Sequence, residues 1–167
     1  MHILLRYADK WIDSGTTIER HAEVICEKGA VLFGKFGKPI ANSKVNRFNY
    51  QISNDIPTYV FLVKSTSGKR KSINIGNIIK VQRQVEPADL AKVPKYYRDN
   101  IDSIDTWLKL DHISEVDAHI LDEIRVYNTG NKAIDAIHYS MAGLFYVKFR
   151  PGMSLESYRP VKVYYKG

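Results

Sequence analysis

Flat aromatic side chains spread along the chain, with basic residues close to them, are the groups here best suited to recognition chemistry. Trp11, Phe33, Phe36, Trp107, Tyr127, Tyr139, Phe145 and Tyr146 fall at the ends of apolar runs or in turns, where loops build sites. Side chains of this kind can sandwich a nucleobase. Stacking is worth ~1–3 kcal/mol per base, so two or three rings offset the few kcal/mol of unstacking. Each ring, taken singly, also fits as a core residue. Arg6, Lys35 and Lys38 flank the first aromatics, and Lys69, Arg70 and Lys71 form an SGKRK turn. Such cations would bind phosphates and supply affinity without sequence information. As a solvated hairpin tip the SGKRK turn would do nothing, and both readings of it stand.

Signatures of catalysis are mostly missing. The chain has no HExxH, no GxxxxGK[ST], no GxSxG and no GxGxxG. His112, His119 and His138 could meet in space, and Asp111, Glu123 and Lys109 could serve a two-metal nuclease. Scattered surface or packed residues explain both sets more simply, so no catalytic group, metal or cofactor is expected. Cys26 is the only cysteine, which excludes a disulfide framework; its apolar neighbours Val24 and Ile25 suggest a small buried hydrophobe.

A chain of 167 residues suits a single domain over 1–167 with a core of its own. Its 44% hydrophobic and 26% charged residues are those of a folded protein rather than a disordered one. The start, MHILLRYADKW, is too short and too soon charged for a signal peptide, and no apolar run approaches the ~20 residues that span a bilayer. A cytoplasmic protein without membrane contact is the expectation. The net charge of +7 favours a polyanionic partner, nucleic acid first.

The elements that must hold these residues are mostly strands. HILLRY at 2–7 reads as a strand, and 16–26 as a helix with Ser14 as a plausible cap and Ile18, Ala22 and Ile25 on one face. The glycine-flanked Val31–Phe33 is a further strand, followed by a polar stretch through residue 54 that reads as a mobile loop. TYVFLVK at 58–64 is apolar and β-branched enough for a central strand. Residues 72–75 and 76–84 suggest a strand pair, and 86–104 two helical pieces or a helix and a loop, broken at Pro94. WLKLDHI at 107–113 alternates as a strand, whereas 120–127 is ambiguous. Apolar segments at 134–137 and 144–149 bracket the SMAG turn, and 161–165 is a last strand. With few helices between strands, the expected fold is α+β: a mixed, mostly antiparallel curled sheet or small barrel with two or three flanking helices.

The order of these pieces resembles the EVE and YTH group of the PUA-like superfamily. HILLRYAD, AVLFGKFG, YVFLVKSTSGKRKSINIGNIIKV, TWLKLDHI and VYNTGNKAIDAIHYSMAG carry the resemblance, over most of residues 2–147. That group reads modified bases. Phe33 stands where the group places a cage tryptophan, and SMAG replaces the Arg-Asp-Gly-like turn of RNA readers. The resemblance extends to the N-terminal specificity modules of McrBC-type restriction systems. It implies double-stranded DNA with a methylated base, N6-methyladenine first, as partner, modified RNA being the alternative, and an AAA+ motor with a nuclease subunit downstream. The implied pocket stacks a flipped base on Phe33 with Trp107 or Trp11 opposite, while Tyr7, Asp9 and Ser140, beside Met141, read its edge. Arg6, Lys35, Lys38, Lys69, Arg70 and Lys71 would hold the backbone. A protein-docking module using Tyr96, Tyr97, Tyr158, Tyr164 and Tyr165 is a second class of reading.

Overall fold

The computed structural model describes residues 1–9, 15–65 and 69–164. Its strands are β1 (His2–Tyr7), β2 (Val31–Gly34), β3 (Tyr59–Lys64), β4 (Ser72–Gln82), β5 (Trp107–Asp117), β6 (Ile124–Val126), β7 (Leu144–Phe149) and β8 (Lys162–Tyr164), and its α-helices are α1 (Thr17–Lys28), α2 (Asn42–Ser53) and α3 (Ala133–Tyr139). The strands hydrogen-bond in the order β2-β5-β4-β3-β1-β7-β6, with β8 on β5. The expected α+β class holds, with a mostly antiparallel sheet; the barrel alternative does not, because the sheet is not closed. The chain divides into two compact units: Met1–Ala8, Tyr59–Gly76 and Ser114–Val163 form the first, and Asp9–Thr58, Asn77–Ile113 and Tyr164–Gly167 the second. Strands β4 and β5 each contribute to both.

In the first unit β1 runs parallel to β3, Arg6 opposite Val63 and Tyr7 opposite Lys64, and antiparallel to β7, Leu5 opposite Leu144. Flanked on both sides, β1 buries Ile3, Leu4 and Leu5 in succession, the continuous apolar run of an internal strand. Leu4, Phe61, Val63, Ile73, Ile75 and Val147 share a core with Ile120, Leu121, Ile124 and Ile137. His2 lies among Tyr59, Phe61 and Phe149 at ring distances of 5.1, 6.1 and 5.4 Å. Its Nδ1 accepts from the Tyr59 N–H at 3.2 Å.

The second unit begins with α1, whose Thr16–Glu19 capping box is complete: Thr16 Oγ1 accepts from Glu19 N at 3.2 Å and Glu19 Oε2 from Thr16 N at 2.8 Å. Thr16 is the N-cap; Ser14, expected there, lies outside the described residues. The polar stretch expected to be a loop is α2. Val45 and Phe48 recur at helical spacing and are buried, and Asn49 pairs with β4 like a neighbouring strand, its amide donating to Val81 O at 2.8 Å and its carbonyl accepting from Val81 N at 2.9 Å. The supposed strand pair at 72–84 is the single strand β4, since Gly76 continues it without a turn. The two helical pieces expected at 86–104 are 3-10 helices, Pro87–Lys92 and Lys95–Ser103. Segment 134–137 belongs to α3. Cys26, expected buried, is exposed.

Buried Asp89 receives Lys92 Nζ at 2.6 Å and Lys109 Nζ at 2.9 Å. Burial opposes its charge, yet these two lysines hold the carboxyl below its usual range. His21 is fully buried, its Nδ1 2.7 Å from Thr17 O and its ring stacked on Phe33 at 4.4 Å.

Burial lowers His21 from 6.5 to about 4, and burial with the N-terminal charge lowers His2 to about 3. The unfolded chain therefore takes up protons at a pH where these folded rings cannot. Stability should be complete above about pH 6.5 and fall as the pH drops towards 4. Urea unfolding at pH 7.5, 5.5 and 4.5 measures this, and His21→Phe should flatten the decline; equal slopes in both proteins would contradict it.

Candidate nucleic-acid interface

The first unit carries eleven of the 25 lysines and arginines but only six of the 18 acids. Its cations gather where β1 and β3 end side by side. In open α/β sheets the carboxyl ends of parallel strands are where ligands bind. Here they bring Arg6, Tyr7, Lys64 and Ser65 together, with Ser65 N donating to Tyr7 O at 2.7 Å. Arg70 joins them, its Nε donating to Lys64 O at 3.2 Å. Partial burial, and after it the charge of Arg6, pulls the Arg70 guanidinium below its ordinary range. No carboxylate pairs with Arg70 among the described residues. Two guanidinium groups with no acid to neutralise the second form an electrostatic setting that an anion relieves. Lys69 and Lys71 stand exposed on either side of Arg70.

Arg6 itself has a structural task. Its Nη1 and Nη2 donate to Ser140 O at 3.3 and 3.2 Å, and Nη2 donates also to Ile137 O. These carbonyls end α3, whose partial negative charge a guanidinium complements. The main chain of Arg6 holds the same turn, its N–H donating to Gly143 O at 2.8 Å. Within the turn Ser140 Oγ accepts from Ala142 N at 3.1 Å. Ser140 is thus a turn former with its carbonyl occupied, and Arg6, expected as a phosphate ligand, braces this turn. The turn it supports presents Tyr139 and Met141, which are 84% and 99% exposed. Met141 was among the expected site residues. Tyr139 was among the candidate stacking aromatics of the sequence, although the implied pocket did not include it.

In the second unit two of the expected stacking rings are enclosed, at successive register positions of the β2–β5 pair. Phe33 is 3% exposed and Trp107 0%, so neither offers a face to a base. The cause is local. Strand β2 is four residues long and buried throughout, Phe33 lying on His21, and the Trp107 indole packs edge-on to Tyr97 at 5.4 Å and donates from Nε1 to Ile104 O at 3.2 Å. A Cβ on Gly34 would lie 2.9 Å from the Trp107 ring, which shows how closely the strand approaches it. Replacing Phe33 would therefore test stability, not recognition. Trp11 lies outside the described residues. Asp9 accepts from Thr17 N at 2.8 Å and so fixes the start of α1. Lys35 closes its own turn, donating to Phe36 O at 3.2 Å and to Lys38 O, while Lys38 is exposed. Among the tyrosines proposed for protein docking, Tyr97 is buried and donates to Gly34 O at 3.2 Å. Tyr96 packs on Tyr97 at 4.2 Å, and Tyr165 lies outside the described residues.

The three groups considered for a nuclease have other partners. Asp111 takes Asn77 Nδ2 at 2.9 Å and His112 Nδ1 at 2.8 Å, Lys109 binds Asp89, and Glu123 binds Arg150 at 2.6 Å. Among the described residues no group of three or more His, Cys, Asp or Glu is placed to hold a metal ion. No helix among them is long and apolar enough to cross a membrane.

The two arginines should separate in a stability assay. Arg6→Ala removes every side-chain donor to the α3 terminus and should cost about 1–3 kcal/mol in urea unfolding. Arg70→Ala should stay within about 0.5 kcal/mol of the parent. Equal losses would contradict the division of labour.

No characterised protein and no solved structure matches the chain significantly. A family model described as Pua-like matches residues 3–141, and domains of that family are typically nucleic-acid-binding modules rather than enzymes. That match covers β1 through the turn after α3, including Arg6, Arg70 and Met141, and the chain belongs to the PUA-like family.

Proposed function

We propose that this chain is a nucleic-acid-binding domain that grips phosphates at the shared end of β1 and β3. The observation that carries the proposal is Arg70: a part-buried guanidinium whose Nε donates to Lys64 O beside Arg6, and which pairs with no acid among the described residues. Lys64, Lys69 and Lys71 extend the positive rim, and the neighbouring Tyr139–Met141 turn gives it an apolar side that faces bases. Phosphate supplies affinity in such an interface and bases supply selectivity.

The finer reading is a modified-base reader for double-stranded DNA, with N6-methyladenine as the mark and a McrB-type restriction system, its AAA+ motor and its nuclease as the setting. It rests on the resemblance of the five segments quoted above. Phe33 and Trp107 do not support it by stacking, because both are enclosed. Tyr139 and Met141 are the exposed side chains of the first unit that this reading sets against a base.

Methylated duplex, unmodified duplex and single-stranded RNA, each titrated at two salt concentrations, test both levels. Affinity should fall steeply with salt, and Arg70→Ala should weaken every ligand alike while lowering the salt slope by about one. Tighter binding of the methylated duplex supports the finer reading, tighter binding of RNA replaces it, and salt-insensitive or absent binding overturns the proposal.

A further inference from the structure

Tyr139 and Met141 are the two most exposed large hydrophobic side chains described in the molecule, and they stand one residue apart. Solvating so much apolar surface is costly, and enclosing side chains of this size is normally favourable. The turn that carries them is already rigid. Ile137 O, Ser140 O and Gly143 O are all held by Arg6, and Ser140 Oγ holds Ala142 N at 3.1 Å. The His138 ring packs edge-on against Tyr139 at 4.8 Å and limits where it points. Little ordering remains to be done when the tip meets a partner.

The charge around the tip selects that partner. The β1 end leads directly to the turn: Arg6, next to Tyr7 whose carbonyl takes Ser65 N, donates to Ser140 O, and its charge is felt at Arg70. A nucleic acid attracted to that rim offers its largest flat apolar surface on the faces of its bases, which are open to a side chain where a step unstacks. We infer that the Tyr139–Met141 turn is a wedge that enters the base stack of a duplex while Arg70 holds a flanking phosphate. Apolar wedges unstack and kink a base step at a cost of a few kcal/mol, which the enclosed side chains offset. The inference rests on the nucleic-acid reading above and assigns the contact that opens the duplex, which that reading leaves unassigned.

Duplexes carrying 2-aminopurine test it, because the fluorescence of this base rises when it loses its stacking neighbours. At saturation the parent protein should raise the signal severalfold, and Tyr139→Ser with Met141→Ser should abolish the rise while weakening affinity less than tenfold. Both positions are exposed, so the double variant should keep the parental melting temperature. Arg70→Ala should bind more weakly yet still raise the fluorescence once saturated. A saturated parent complex with quenched 2-aminopurine, or an undiminished rise with the double variant, overturns the wedge and leaves the phosphate-gripping function standing. If the parent binds no duplex at all, the wedge falls, and the phosphate-gripping function falls with it only if single-stranded RNA is not bound either.

Discussion

Arg6 makes one piece of an internal strand and the turn that follows α3. Its main-chain N–H, held by Gly143, extends the β1–β7 pairing, and its guanidinium closes the carbonyl end of a seven-residue helix too short to be stable alone. Without that closure the Ile137 and Ser140 carbonyls would have to find water, and the tip beyond them would lose its position. The rest of the interface follows from this constraint. Arg6 places three donor contacts on the Ile137 and Ser140 carbonyls, whereas no carboxylate pairs with Arg70 among the described residues.

Two kinds of order meet in this fold. Strands β1 and β3 are apolar along their length and define the parallel pair whose carboxyl ends carry the rim. The second unit is organised by aromatic packing, a chain of ring contacts that runs from Phe33 through His21, Tyr96 and Tyr97 to Trp107. Rings of that kind would suit a base cage if exposed. Here they do the work of a core, and the groups left for recognition are the exposed ones of the first unit.

Strands with strong apolar or alternating runs were legible in the amino-acid order: β1, β3 and β5 lie within a few residues of where the pattern puts them. So were α1, from the spacing of Ile18, Ala22 and Ile25, and the cationic SGKRK segment. Helix α2 was hidden because Asn and Ser dominate it, and its stability comes from Val45, Phe48 and the Asn49 pairing to β4, which is a tertiary contact. Helix α3 was hidden because seven residues carry too few turns to show a period. At the candidate site, residue types singled out Met141 and Arg70 as expectations but could not tell an enclosed ring from an open one. Phe33 and Tyr139 are equally plausible stacking partners by type, and only burial separates them.

The turn after α3 is anchored through main-chain oxygens and one short hydroxyl, never through the side chains at 139 and 141. Carbonyl acceptors are the same whatever residue bears them, so the identity of the two tip residues is decoupled from the scaffold beneath. Evolution, or an engineer, can exchange them for others and retune what the tip prefers, while grip and foldability stay where they were.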